Sequence, residues 1–311
     1  MKAAQINKYG GSDVIEIKEV QKPQLKAGQI LVEVYAASLN PFDRMLREGH
    51  VQKYLPLQFP ITLGGDFSGI VTEVYSGITE FKAGDEVYGQ AVVVNGGSGS
   101  FAQFVGANVK NTALKPKTID QVGAASLPLV GTSALQALEE HINIQTGQKI
   151  LIQGGSGGIG SLAIQIAKLH GAYVATTVSE KSKEFVKKLG ADEVIDYQAQ
   201  DFSQVLADFD AVFDTTKGEE INKSIKVLKK AGKLVSMIGQ AAGELIKASG
   251  ITAITQRTIA DTVKLNRLAE LVDSGKIKPQ VDKTFTLVEI KEAFDYLEKD
   301  HPIGKVVLKI K

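Results

Sequence analysis

The chain has 311 residues, of which 43% are hydrophobic, and a formal net charge of +1 at pH 7. This length exceeds one ordinary hydrophobic core, so we expect two domains, and the balanced charge gives no sign of a nucleic-acid partner. The chain has no cysteine, which excludes disulfides, thiolate nucleophiles and thiolate metal sites. Residues 1–7 lack the apolar core of a signal peptide, and no apolar run approaches the roughly 20 residues that span a bilayer, so we expect a cytoplasmic protein with no membrane partner.

The first third of the chain is predicted to be rich in β-strands. Short strands are expected at residues 1–5, 14–18 and 29–36, the last of which alternates in part between apolar and polar side chains. An Asn-Pro pair at residues 40–41 ends that strand. Further short strands punctuated by glycine follow between residues 61 and 105, and this pattern predicts a small barrel-like β domain.

From about residue 124 the chain alternates between predicted strands and predicted helices. The strands are expected at residues 150–153, 173–177, 193–196, 211–214 and 234–239, and the helices at residues 132–140, 159–170, 180–189 and 221–229. Such alternation predicts a parallel, doubly wound sheet. An amphipathic helix at residues 265–274 and a final strand at residues 303–308 complete the pattern.

A dinucleotide-binding fingerprint joins the first of these strands to the helix that follows it. Its glycines fit the pattern Gly-x-Gly-x-x-Gly, in which the first permits a sharp turn, the second lets the backbone approach a pyrophosphate and the third allows close helix–strand packing. The helix N-terminus adds free N–H groups and the positive end of its dipole. A glycine-rich surface turn is the alternative, but we expect a dinucleotide to bind at Gly155, Ser156, Gly157, Gly158, Ile159 and Gly160.

Over nearly its whole length the chain resembles the medium-chain dehydrogenase/reductase superfamily. The matching motifs are Gly64–Val71, Phe81–Val87, Leu127–Ala134, Gly154–Gly160, Lys187–Asp192 and Val194–Tyr197. The resemblance implies an α/β fold with a GroES-like, β-rich catalytic domain at residues 1–123. It further implies a doubly wound, parallel-sheet Rossmann domain at residues 124–265 and a C-terminal return to the catalytic domain at residues 266–311.

Within that superfamily the chain is similar to the zinc-independent quinone and enone reductase branch. The positions that align with the catalytic zinc ligands of alcohol dehydrogenases are Asn40, Gly65 and Leu129, which are poor ligands, and the four histidines show no metal-ligand spacing. No metal site is therefore predicted. One departure from the branch is Met45, which stands where enone reductases often have a lysine.

The catalytic candidates are Asn40, Asp43 and Asp66. The resemblance implies that Asn40 donates a hydrogen bond into the active site, and a plain Asn-Pro turn is the alternative. Asp43 is equally compatible with capping a local turn, and Asp66 with a buried carboxylate that accepts from backbone N–H groups. A site without metal suits a conjugated acceptor, because a quinone or enone spreads the incoming charge over several atoms.

The predicted cofactor is NADP. An NAD site often has a carboxylate at the end of the second strand, whereas the strand at residues 173–177 runs into hydroxyl-bearing residues. Ser179, Lys183 and Tyr197 stand where the resembling family binds the 2′-phosphate, and their hydroxyl, ammonium and phenol groups suit a phosphate dianion. A helix cap at Ser179 and a solvated helix face at Lys183 are the alternatives, and Glu180 is the contrary signal.

The remaining predicted cofactor contacts are Thr132 and Ser133, near the nicotinamide, and the backbone of Gly239. The predicted function is an NADPH-dependent reductase that transfers hydride to a quinone or an α,β-unsaturated carbonyl compound without zinc. A non-catalytic, crystallin-like NADPH-binding protein and a carrier-linked enoyl reductase are the alternatives. Residues 250–255 predict an apolar strand at the sheet edge, where relatives commonly dimerise, so we expect a homodimer.

Overall fold

The computed structural model describes residues 1–216 and 220–311, which pack as two compact units. The first unit comprises Met1–Thr132, Ala260–Gly275 and Pro279–Lys311. The second unit comprises Ser133–Ile259 and Lys276–Lys278. Residues 124–132 and 260–265, which were predicted to belong to the Rossmann domain, thus pack with the first unit. The predicted limits of the functional domains, after residue 123 and after residue 265, stay predictions.

Strands are numbered in chain order. They are β1 Lys2–Ile6, β2 Glu16–Glu19, β3 Gln29–Ser38, β4 Ile61–Thr62, β5 Asp66–Val74, β6 Glu86–Gln90, β7 Phe104–Asn108, β8 Thr112–Leu114, β9 Lys149–Gln153, β10 Tyr173–Val178, β11 Glu193–Asp196, β12 Phe209–Asp214, β13 Leu228–Ser236, β14 Thr252–Thr255, β15 Val281–Thr286 and β16 Lys305–Lys309. The α-helices are α1 Pro41–Arg47, α2 Gln121–Ala125, α3 Pro128–Leu135, α4 Gly158–Leu169, α5 Lys183–Lys188, α6 Ile221–Val227, α7 Gly243–Ser249, α8 Thr262–Asp273 and α9 Ile290–Lys299.

The first unit is built on two sheets, as the β-rich, GroES-like prediction requires. One sheet has the order β2-β1-β4, and the larger has the order β15-β16-β3-β5-β6-β8, with β7 also paired to β3. Ile30, Val32 and Val34, the alternate apolar residues of the strand predicted at 29–36, are buried in β3. They share a core with Phe67 of β5 and Phe294 of α9, so that sequence-distant elements close around one cluster.

The second unit contains the predicted parallel sheet, whose strand order is β11-β10-β9-β12-β13-β14. The order reverses between β9 and β12, and in such sheets ligands bind outside the carboxyl ends of the strands at that point. The predicted strand at residues 250–255 is present as β14 and lies at the edge of the sheet.

Several helices differ from their predicted extents: the one predicted at residues 221–229 ends at Val227, and the one predicted at residues 265–274 begins at Thr262. The helix predicted at residues 132–140 begins four residues earlier, because Pro128 fits the first position of a helix, and it continues into the wider helical turns of Gln136–Ile142. The helix predicted at residues 180–189 consists of a 3-10 turn at Glu180–Ser182 followed by α5. Within the described ranges, no helix combines the length and the apolarity needed to cross a bilayer.

Candidate active site

A buried polar cluster forms where several strands of the larger sheet begin or end. Ser38 ends β3, Asp66 begins β5 and Gln90 ends β6, and the antiparallel register places Asp66 directly between the other two. Asn40 follows β3 after one residue, and Lys305 begins β16, which pairs with β3. Strand pairing therefore brings five polar side chains together from four separate parts of the chain.

Asp66 is the main hydrogen-bond acceptor of this cluster and is fully buried. Its carboxylate accepts from Asn40 Nδ2 at 2.9 Å and from Gln90 Nε2 at 2.8 Å. The backbone N–H of Leu129 lies 3.2 and 3.3 Å from the two carboxylate oxygens, and Ser38 Oγ lies 3.3 Å from Oδ2. Burial raises the pKa of Asp66, whereas the Lys305 ammonium and these hydrogen bonds oppose the rise.

Lys305 is the cationic member of the cluster and was not among the site residues predicted from the sequence. Its Nζ donates to Asn40 Oδ1 at 2.5 Å and to the Leu39 carbonyl oxygen at 2.6 Å, and lies 4.0 Å from Asp66 Oδ2. Burial lowers the pKa of this lysine, while the carboxylates of Asp66 and Asp43 raise it. The only signal in the sequence was a charged residue inside an otherwise apolar final strand.

Asp43 lies on the first turn of α1 and is almost fully buried. Its Oδ2 accepts from the backbone N–H of Asn40 at 2.7 Å, which is the local capping contact named above as the alternative to a catalytic role. Burial, together with the negative charge of Asp66, raises the pKa of Asp43 to about 7, although the Asn40 hydrogen bond and Lys305 oppose the rise. Burial and the nearby negative charge of Asp66 therefore favour the protonated form of this carboxyl group.

The positions that align with zinc ligands carry other contacts here. The Asn40 side-chain amide donates a hydrogen bond to Asp66 through its nitrogen and accepts one from Lys305 through its oxygen. Gly65 has no side chain, and Leu129 contributes its backbone N–H to Asp66. Among the residues that the structure describes, no group of three or more histidine, aspartate or glutamate side chains is placed to hold a metal ion.

The glycine fingerprint of the second unit forms the predicted strand–turn–helix. A Cβ atom on Gly155 would lie 2.1 Å from Thr176 Oγ1, and one on Gly160 would lie 2.2 Å from the Gly154 carbonyl oxygen, so neither position accepts a side chain. Helix α4 begins at Gly158, next to Gly157. The first N–H groups of an α-helix have no partner within the helix, so this turn presents donors suited to an anion.

The predicted 2′-phosphate residues lie at the carboxyl ends of β10 and β11. Val178 and Asp196 are paired across these strands, so Ser179 and Tyr197 follow them side by side, and Tyr197 is 58% exposed. Lys183 begins α5, where its ammonium contacts the Glu180 carboxylate and lies 3.9 Å from Asp196 Oδ2. The hydrogen bond to Glu180 raises the pKa of Lys183.

Thr132 and Ser133 are adjacent in sequence but belong to different compact units. The Thr132 hydroxyl donates to the Pro128 carbonyl oxygen at 2.6 Å, one turn back in α3. Within the second unit, Ser133 Oγ lies 2.7 Å from Thr258 Oγ1. Both side chains are buried, and their assignment to the nicotinamide end stays a prediction.

Gly239, placed at the end of the predicted strand 234–239, lies three residues beyond the end of β13. The strand ends at Ser236, because Ser236 Oγ donates to the Ile238 carbonyl oxygen at 2.6 Å and turns the chain. Gly239 has a φ of +93°, a conformation that favours glycine, and its carbonyl oxygen accepts from Thr255 Oγ1 at 3.0 Å. Its proposed contact with a cofactor stays a prediction.

Comparison with known families and proteins gives consistent matches. Residues 26–117 match the family described as alcohol dehydrogenase GroES-like domain, and residues 189–308 match the family described as zinc-binding dehydrogenase. An NADPH-dependent alkenal/one oxidoreductase, chloroplastic, of Arabidopsis thaliana is 37% identical over 99% of this chain and 79% of its own length.

Two solved structures extend the comparison. The quinone oxidoreductase of Coxiella burnetii has a TM-score of 0.92 and 35% identity, covering 100% of this chain and 99% of that one. The Escherichia coli quinone oxidoreductase complexed with NADPH has a TM-score of 0.90 and 25% identity, and all of both chains is covered.

Proposed function

The chain belongs to the zinc-independent quinone and enone oxidoreductase branch of the medium-chain dehydrogenase/reductase superfamily, and on this premise we propose that it is an NADPH-dependent reductase. Its proposed substrate is a quinone or an α,β-unsaturated carbonyl compound, and the reaction is hydride transfer without zinc. Similarity to an NADPH-dependent alkenal/one oxidoreductase and to a quinone oxidoreductase solved with NADPH supports this assignment.

The main support for the cofactor proposal is that packing within the chain requires glycine at only two of the three fingerprint positions. Packing within the chain explains Gly155 and Gly160, whose side chains would collide with neighbouring atoms. A Cβ on Gly157 would instead meet only the Gly154 carbonyl oxygen, at an ordinary 3.4 Å. Close approach of a pyrophosphate gives a reason for glycine at that position, and the N-terminus of α4 would bind its charge.

When bound, NADPH supplies the hydride, and the residues of the chain orient the acceptor and stabilise charge on it. We assign Asn40 to the acceptor oxygen, because its amide is held rigidly by Asp66 and Lys305. Conjugation spreads the developing negative charge, so an amide donor suffices where a simple ketone needs stronger stabilisation. Asp43 and Asp66 act through Asn40 in this assignment and do not need to touch the substrate.

A panel of acceptors tests the proposed function. NADPH and NADH oxidation is measured with a quinone, an alkenal and a simple ketone–alcohol pair, before and after treatment with a strong chelator. We expect turnover of the quinone and the alkenal, preference for NADPH and no effect of the chelator. Alcohol oxidation that the chelator abolishes would contradict the zinc-free mechanism, and tight NADPH binding without any turnover would favour the non-catalytic alternative.

Lys183→Ala is expected to weaken NADPH binding about tenfold and to leave NADH binding nearly unchanged. A charge-assisted phosphate contact is worth roughly 1.5–3 kcal/mol, and the lower end applies because Glu180 competes for the same ammonium. Glu180→Gln removes that competitor and should strengthen NADPH binding. Lys187→Ala, which removes a neighbouring lysine paired with Glu184, is the matched control. Titration of both cofactors checks this, and tighter binding of NADH by the wild type would disprove the assignment.

The expected homodimer rests on β14, whose outer edge has no strand partner among the described residues. Such an edge pairs readily with a second chain, and two-fold symmetry makes the pairing mutual. Light scattering at micromolar protein concentration should give a molar mass twice that of the chain. A mass equal to that of one chain would refute the proposed homodimer. A cytoplasmic location also stays a prediction, since the Arabidopsis relative is described as chloroplastic.

A further inference from the structure

We propose that Lys305 is a positioning residue that fixes and polarises the Asn40 amide, so that Asn40 presents a strengthened N–H donor to the acceptor oxygen. The inference rests on the proposed function and deepens it. It adds to the site a residue from the last strand of the chain, far in sequence from the catalytic candidates.

The hydrogen bonds of the cluster leave one orientation for the Asn40 amide. An ammonium only donates, so the atom 2.5 Å from Lys305 Nζ is the amide oxygen. A carboxylate only accepts, so the atom 2.9 Å from Asp66 Oδ2 is the amide nitrogen. That nitrogen carries a second hydrogen besides the one that Asp66 accepts, and we assign this second hydrogen to the acceptor oxygen.

The Lys305 ammonium also strengthens this donor. A cation bonded to the oxygen of an amide draws electron density from its nitrogen, and successive hydrogen bonds polarise one another in a medium of low dielectric constant. The Asp66 carboxylate, 4.0 Å from Nζ, opposes the loss of the Lys305 proton that burial favours. A strengthened, prealigned donor favours the state in which charge develops on the acceptor oxygen.

If Lys305 had a purely structural role, its removal would lower kcat equally with and without Asn40. A double-mutant cycle with Asn40→Ala therefore distinguishes a structural role from the proposed positioning role. Lys305→Met should lower kcat about 10- to 100-fold in the wild-type background and less than about threefold in the Asn40→Ala background, because a residue that acts through Asn40 loses its effect with it. The dissociation constant for NADPH should stay within about twofold throughout. Equal losses of kcat in both backgrounds would overturn the proposal.

The matched control is Lys115→Met, which removes another buried lysine of the same unit. Lys115 Nζ donates to the carbonyl oxygens of Pro116 and Ile119, at 2.9 and 2.8 Å, and takes no part in the cluster. It should lower the unfolding temperature without changing kcat at a temperature where the protein is folded. A kcat loss equal to that of Lys305→Met would show that any buried lysine has this effect and would overturn the proposal.

A measurement without cofactor or turnover tests the same contact. In protein labelled with ¹⁵N-asparagine, the side-chain amide signal of Asn40 is assigned by its loss in Asn40→Ala. Lys305→Met should shift this signal upfield, and Lys305→Arg should shift it less, because arginine keeps the charge while moving the donors. An unshifted signal in a folded variant would overturn the proposal. If Lys305→Met does not fold, the cycle is run with Lys305→Arg, where additive losses again count against it.

The two levels of inference fail separately. Wild-type protein that reduces the quinone or alkenal, combined with additive losses in the cycle, would leave the proposed function standing and refute the role of Lys305. Wild-type protein that reduces no acceptor would refute the proposed function and this role together.

Discussion

Asn40→Ala is expected to lower kcat and kcat/KM for the conjugated acceptor together, by about 100- to 1,000-fold, the usual effect of removing one donor to a developing oxyanion. Removing a donor that acts only in the transition state reduces kcat and kcat/KM equally. Binding of NADPH should change little, because the residues proposed to hold it, apart from Thr132, lie in the second compact unit. Steady-state kinetics with a quinone and an alkenal check the expectation.

Asn111→Ala is the matched control for this substitution. Asn111 Nδ2 donates to the Ala260 carbonyl oxygen at 2.6 Å in the same unit, away from the cluster. Its removal costs a side-chain hydrogen bond, as Asn40→Ala does, but should leave kcat within about twofold. If Asn40→Ala retains wild-type kcat while its folding is intact, the assignment of Asn40 to the acceptor oxygen is wrong.

Asp66→Ala is expected to lower the free energy of unfolding by about 3–5 kcal/mol, the range for removing one partner of a buried ion pair. The loss leaves Lys305 without its nearest carboxylate and removes the acceptor of Asn40, Gln90 and the Leu129 backbone N–H. Urea denaturation measures the change as a lower midpoint at constant slope.

Asp66→Asn is the informative companion variant. Its carbonyl oxygen keeps one acceptor for the surrounding donors, whereas its amide nitrogen faces them without a partner. We expect a loss of stability smaller than that of Asp66→Ala, together with a large loss of kcat, since the Asn40 amide nitrogen would no longer donate to a carboxylate. A wild-type urea midpoint for Asp66→Ala would show that the cluster does not contribute to stability as described.

Local sequence was enough to predict the cofactor fold. The strand–turn–helix at residues 150–160 depends on contacts within one short segment, such as that between Gly160 and Gly154. The alternation of strands and helices after residue 124 likewise led to the parallel sheet, because each crossover needs a helix. Both features depend on residues that are close in sequence, so hydrophobic periodicity and glycine spacing are enough to identify them.

The buried polar cluster was only partly predictable. Asn40, Asp43 and Asp66 were found through their resemblance to family motifs, but nothing in their spacing pointed to Gln90 or Lys305. The pairing of Glu180 with Lys183, which moderates the expected phosphate contact, was equally invisible as a specific contact.

The tertiary structure decided these contacts because strand register is a long-range property. Asp66 meets Gln90 since β5 and β6 pair in one register, and a shift by one residue would turn either side chain to the other face of the sheet. Lys305 reaches Asn40, 265 positions away in sequence, because β16 pairs beside β3. The sequence by itself therefore determined the elements and the cofactor turn, whereas the packing of distant strands placed a cation against the Asn40 amide.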